Sequence, residues 1–198
     1  MSGVRRLLTT RGRALAVLAV AVLLAASSGC ETDDSVGGLQ PSCITLIPVK
    51  DPTPGEVTSV WGSESTCDVV EVELEVSGVS DIWSVQFEVV YPDGIAQILS
   101  PNADDSFLSE GGVDLFGEFD EIVAGTAEIG LTRVGAANVG ITPSTNNHLI
   151  RLRFLRLASS GSGPVTFQDA TLSTKANPGD QPTEISVPFS GGEFFIEN

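Results

Sequence analysis

Residues 70–76 read Val-Glu-Val-Glu-Leu-Glu-Val. Apolar and acidic side chains alternate with period two, the pattern of a β-strand with one face toward a core and one toward water. On a helix the three glutamates would scatter around the axis. Working outward, Gly78 and Asp81 supply a turn, and Trp83, Val85, Phe87, Val89 and Tyr91 form a second alternating set with Ser84, Gln86 and Glu88 opposite them. Pro92-Asp93-Gly94 ends that strand with turn chemistry. Ile95–Leu99 reads as a short apolar strand. Asn102–Asp120 reads as a long loop with at most a helical turn, because Gly111-Gly112 interrupts it. Glu121–Ala124 and Thr126–Thr132 form a hairpin around Gly125, and Gly135–Asn147 is loop.

His148–Leu157 alternates again, with Ile150, Leu152 and Phe154 on one face and Arg151 and Arg153 on the other. Ser159–Pro164 is read as a turn, followed by short strands at Val165–Phe167 and Ala170–Ser173. Lys175–Pro182 is a Pro/Gly loop, and Ile185–Phe189 and Glu193–Ile196 close the chain around Gly191-Gly192. No stretch after residue 30 has a 3.6-residue apolar period. The sequence therefore predicts an all-β fold, a single jelly-roll-like β-sandwich of eight or nine strands over residues 43–198.

The chain has 198 residues, with 10 Lys and Arg against 26 Asp and Glu. Arg5, Arg6, Arg11 and Arg13 lie before position 14, and every acid lies after position 30. Such a surface repels phosphate backbones, so nucleic acid is not an expected partner. Residues 1–29 read as a signal peptide: a basic start, then the uncharged apolar run Ala14–Ala26, too short for a helix that spans a bilayer. Ser27-Ser28-Gly29 precede Cys30. This resembles the lipobox of bacterial lipoproteins, with Ser27 where that family usually has Leu. The resemblance implies acylation of Cys30, anchoring in a membrane and an extracytoplasmic location. Residues 30–42 then read as the acylated Cys and a flexible acidic tether. Of the other cysteines, Cys43 and Cys67 are expected to form a disulfide in an exported chain, stapling the N-terminal strand to the domain. Metal binding is the rival reading; it finds no CxxC, and the only histidine, His148, is remote.

The order of these strands resembles the cohesin domain, a β-sandwich of bacterial and archaeal surface proteins. Four pieces carry the resemblance: Val70–Val76 running into Gly78-Val79; Trp83–Tyr91 followed by Pro92-Asp93; Leu149–Leu157, a Gly/Ser turn and Val165–Ala170; and the ending Val187-Pro-Phe189-Ser-Gly-Gly192-Glu-Phe. It spans residues 68–198. The resemblance implies protein binding: cohesins hold dockerins, small calcium-binding modules of secreted proteins, on one sheet face. Carried over strand by strand, the partner-binding residues are Ser84, Gln86, Glu88, Glu128, Thr132, Arg151 and Arg153.

Catalysis finds little to work with. His148 has no nucleophile-elbow motif near it and reads as a solvated histidine at a strand edge. No pair of carboxylates stands out for glycoside hydrolysis, and phosphate loops and HExxH are absent. No enzyme activity, catalytic residue, cofactor or metal is expected. The acidic clusters Asn102, Asp104, Asp105 and Asp114, Glu118, Asp120, Glu121 have ligand chemistry for Ca²⁺ without EF-hand spacing. Two rival functions remain. One is polysaccharide binding, for which Trp61 is the aromatic expected to be exposed, Trp83 and Tyr91 sharing the phase of the core residue Phe87. The other is a structural envelope lipoprotein without a soluble ligand.

Overall fold

The computed structural model describes residues 42–135, 139–145 and 147–197. The signal peptide, Cys30 and the tether up to residue 41 lie outside the described residues.

Twelve strands are described: β1 (Ile44–Pro48), β2 (Glu56–Trp61), β3 (Val69–Ser77), β4 (Ile82–Val90), β5 (Ala96–Ile98), β6 (Asp114–Val123), β7 (Thr126–Val134), β8 (His148–Arg156), β9 (Gly161–Thr174), β10 (Thr183–Ile185), β11 (Phe189–Ser190) and β12 (Gly192–Ile196). A 3-10 turn covers Phe107–Ser109. One sheet runs β1-β12-β9-β4-β7-β6, with β10 also on β9; the other runs β11-β2-β3-β8-β5. The expected all-β sandwich is the observed one, with more strands than the eight or nine read from the sequence.

The alternating segments supply the core. Val70, Val72, Leu74 and Val76 of β3 and Ile150, Leu152 and Phe154 of β8 are buried from one sheet. Val85, Phe87 and Val89 of β4 and Ala127, Ile129 and Leu131 of β7 meet them from the other. Phe154 stacks edge-on against Tyr91 at 5.3 Å and Phe194 at 4.9 Å between ring centroids. Each large side chain buried this way contributes about 1.5–3 kcal/mol.

Three sequence expectations change. Asp114–Asp120 is not loop but most of β6, the outermost strand of its sheet. Its residues are nearly all exposed, so no core-facing alternation marks it. The turn read at Ser159–Pro164 and the two short strands after it are largely one strand, β9. Asp169 has φ 46°, and the pairing with β4 slips between Gln86 and Glu88. Such a bulge exchanges the faces of the strand, so that Val165 before it and Leu172 after it both reach the core. Finally, Trp61 ends strand β2 rather than standing in a loop.

The chain changes sheets at Gly191. Ser190 pairs with β2 in one sheet and Gly192 with β9 and β1 in the other. A Cβ on Gly191 would lie 1.9 Å from the Val165 carbonyl oxygen, so only glycine fits this crossing.

Candidate interaction face

β4 lies between β9 and β7, and β6 flanks β7. Their registers line up three rows of outward residues. Thr132 sits between Ser84 and Phe116, Gly130 between Gln86 and Glu118, and Glu128 between Glu88 and Asp120. On the other side of β4, Ser173, Thr171 and Gln168 stand beside Ser84, Gln86 and Glu88. The result is a level, polar and acidic wall. Gln86 Nε2 donates to Glu128 Oε1 at 2.6 Å and ties its centre together. Above Gly130 the wall dips into an open groove of about 620 Å³, lined by Phe116, Glu118, Asp120 and the β4 and β7 residues. Gly130 makes the floor because it has no side chain; a Cβ there would meet only Glu118 Cβ, at 3.8 Å. Phe116 stands 53% exposed at the groove margin.

Five of the seven residues expected on one face, Ser84, Gln86, Glu88, Glu128 and Thr132, are thus gathered here. Arg151 and Arg153 are not. They lie on β8, which pairs with β3 and β5 in the opposite sheet. Outward phase is readable along a strand, but which sheet the strand joins depends on a partner far away in sequence. Arg151 is also already engaged. Its Nε lies 3.3 Å from Glu73 Oε1 and 4.0 Å from Glu71 Oε1, and its Nη1 lies 3.9 Å from Asp105. Glu71 is 1% exposed, beneath the turn at Gly62, where a Cβ would strike its side chain at 2.5 Å. The alternation promised a wet face for Glu71, and a covering turn removed it. Burial pushes the Glu71 carboxyl above its ordinary pKa, and the Arg151 charge works against that rise. Arg151 therefore serves the fold as a counter-charge.

His148 is another correction. It is buried, at 7% exposure, not solvated. Desolvation first, and then the Arg151 charge, lower its pKa, while Glu73 and Asp105 pull the other way. The imidazole is accordingly neutral at pH 7.

Of the three candidate sugar-stacking aromatics, Trp61 is 42% exposed, and Tyr91 is buried, donating its hydroxyl to Glu121 Oε1 at 2.8 Å. That burial and the Glu121 carboxylate push the tyrosine pKa up to about 12. Trp83 is half-buried, with Lys175 Nζ 5.5 Å from its ring centroid; a slip in the β4–β9 pairing gives the core place to Ile82. Of the suggested calcium ligands, Asn102 Oδ1 instead accepts the Asp104 amide at 2.6 Å. Among the described residues no three His, Cys, Asp or Glu side chains converge as a metal site.

The sequence reading did not place Phe116, Glu118, Asp120 or Gly130 on this face, and took Glu118 and Asp120 only as possible calcium ligands. A signal for the first three existed: the arm read after Gly125, Thr126–Thr132, is longer than the arm Glu121–Ala124 read before it, and hairpin arms match in length.

No protein-family model and no curated protein sequence matches the chain. Solved structures do, and cohesin modules recur among them. One is the cohesin module of a family 33 glycoside hydrolase from Clostridium perfringens, 14% identical, with 76% of this chain and 99% of that one covered and a TM-score of 0.41. A second type II cohesin module of an adaptor scaffoldin from Acetivibrio cellulolyticus is 15% identical, with 79% and 91% covered and a TM-score of 0.47. A type I cohesin–dockerin complex from Clostridium thermocellum gives 13% identity, 76% and 96% covered and a TM-score of 0.48.

Proposed function

We propose that the chain is a lipid-anchored, extracytoplasmic protein-binding module. Its partner, a dockerin-bearing secreted protein, lies flat on the outer face of β9, β4, β7 and β6. The observation that carries this reading is the level wall with its groove over Gly130. The order of cohesin-like motifs along the chain supports it, since two of the three strands that the resemblance puts on the face, those of Ser84 to Glu88 and Glu128 to Thr132, are paired there, while the strand of Arg151 and Arg153 is in the other sheet. A flat polar surface with an exposed aromatic at its margin suits a specific polar interface.

Gly130→Val is the informative variant. It fills the groove with a β-branched side chain that a strand accepts, so folding is expected to be unimpaired. Capture of dockerin-bearing protein, measured by calorimetry with calcium present, is expected to weaken about ten-fold or more. An unaltered affinity in a normally folded variant would falsify the choice of face.

Diacylation of Cys30 belongs to the same reading. Each buried CH₂ contributes about 0.8 kcal/mol, so two chains hold the protein at a membrane. Cys30→Ala is expected to move the protein from the membrane pellet to the soluble fraction; retention in the pellet overturns the anchor.

A further inference from the structure

Among the described strands, most free sheet edges are short. β5 and β10 have three residues each, β11 has two, and β1 has five and ends on Pro48. β6 has ten, and among the described strands it pairs only with β7. An edge of that length offers a row of backbone donors and acceptors to another strand unless lysine, proline or a bulge blunts it. β6 reads Asp-Leu-Phe-Gly-Glu-Phe-Asp-Glu-Ile-Val, without proline or a basic residue. Its one irregularity falls near the end, between Glu121 and Val123.

The two faces of β6 differ. Phe116, Glu118 and Asp120 share the outer face with the wall, while Leu115, Gly117, Phe119 and Glu121 alternate with them toward the other sheet. On that inner side the sandwich is open. A cleft of about 210 Å³ lies against Phe119, Ile129, Leu131 and Ile150. Phe119 is 38% exposed there, and Ile122 and Val123 near the strand's end are 47% and 60% exposed.

Charge selects the occupant. β6 carries Asp114, Glu118, Asp120 and Glu121 and no base. A second copy pairing edge to edge would set those carboxylates against their own counterparts, which is repulsive. We propose that the β6 edge accepts an extended segment of a partner protein in which Lys or Arg alternates with apolar residues. The segment adds a strand beyond β6. Its basic side chains reach Glu118 and Asp120 on the outer face, and its apolar side chains turn inward over Phe119 and the cleft. Backbone hydrogen bonds give the pairing and the alternation gives its register. This edge site does not depend on the dockerin reading of the face.

The test uses the full chain and a synthetic peptide of alternating Lys and Val, beside the same peptide N-methylated at every backbone amide. The two share charge and side chains, but the second has no N–H to donate. The unmethylated peptide is expected to bind about ten-fold or more tightly than the methylated one, with hydrogen-exchange protection gained in residues 114–123. Glu118→Lys with Asp120→Lys, both exposed positions, is expected to weaken it about ten-fold. Equal binding of the two peptides, protection gained elsewhere, or no binding overturns the proposal. So does full affinity in the double-lysine variant, or a β6-paired dimer of the chain itself. Unaltered dockerin capture in Gly130→Val, with the peptide bound by the parent chain as expected, removes the face reading alone.

Discussion

Arg133→Leu is expected to destabilise the domain by about 3 kcal/mol, more than any substitution on the wall. Arg133 lies on β7 and is almost fully buried. Its guanidinium donates to three backbone carbonyls: Nε to Val139 at 3.0 Å, Nη1 to Leu108, and Nη2 to Glu110 at 3.2 Å. One side chain thereby ties the 3-10 turn at Phe107–Ser109 and the segment after β7 to the sheet. Burial lowers the arginine's pKa, with Glu110 opposing, and the group stays charged at neutral pH because an arginine starts so high. Leucine keeps much of the packing and removes all the donors. Leu108 is buried, so its carbonyl would be left without a partner or water, and a buried unsatisfied group costs about 1–3 kcal/mol. Thermal unfolding followed by circular dichroism is expected to show a midpoint lower by about 6–12 °C. A shift under about 2 °C would mean that water replaces the guanidinium without penalty. Arg133→Lys is expected to recover only part of the loss, since an ammonium cannot span three carbonyls in a fork.

Removing the Cys43–Cys67 bridge is expected to cost about 3 kcal/mol. The bridge joins residues 24 apart in sequence, and closing a loop of that size in the unfolded chain is worth about that much in the chain-entropy model. Its position adds to the effect. Cys43 leads into β1 of one sheet, and Cys67 precedes β3 of the other, with Ile44 N–H donating to the Cys67 carbonyl at 3.2 Å. The bridge therefore pins the two sheets together at the domain's N-terminal margin. Cys43→Ala with Cys67→Ala should lower the unfolding midpoint about as much as adding reductant lowers it in the parent chain. Reductant should do nothing further to the variant. Equal midpoints for oxidised and reduced parent protein would show that the bridge contributes nothing to the fold.

The strands that bury one face were legible because water and core sort residues along a strand with period two. Val70–Val76, Val85–Val89 and Ile150–Phe154 all carry that mark, and all three reach the core. β6 carries no such mark because both its faces are largely exposed. β9 has two opposite phases joined at Asp169, so it read as two elements. The candidate face was legible in part. Ser84, Gln86, Glu88, Glu128 and Thr132 were placed on one face by outward phase together with the family resemblance, and their strands prove to be neighbours. Arg151 and Arg153 have the same outward phase and stand on the other sheet.

Side-chain periodicity by itself determined that this chain makes strands and which residues of most strands face inward, and the cysteine count in an exported chain paired Cys43 with Cys67. Only the tertiary structure decided which strands share a sheet. That choice assembled the wall over Gly130, exiled the two arginines, buried Glu71 and His148, and left β6 as a long edge. The physical reason is range. Alternation is imposed on each residue locally, by its contact with core or water, whereas strand pairing joins backbone groups far apart in sequence and leaves no mark at either partner.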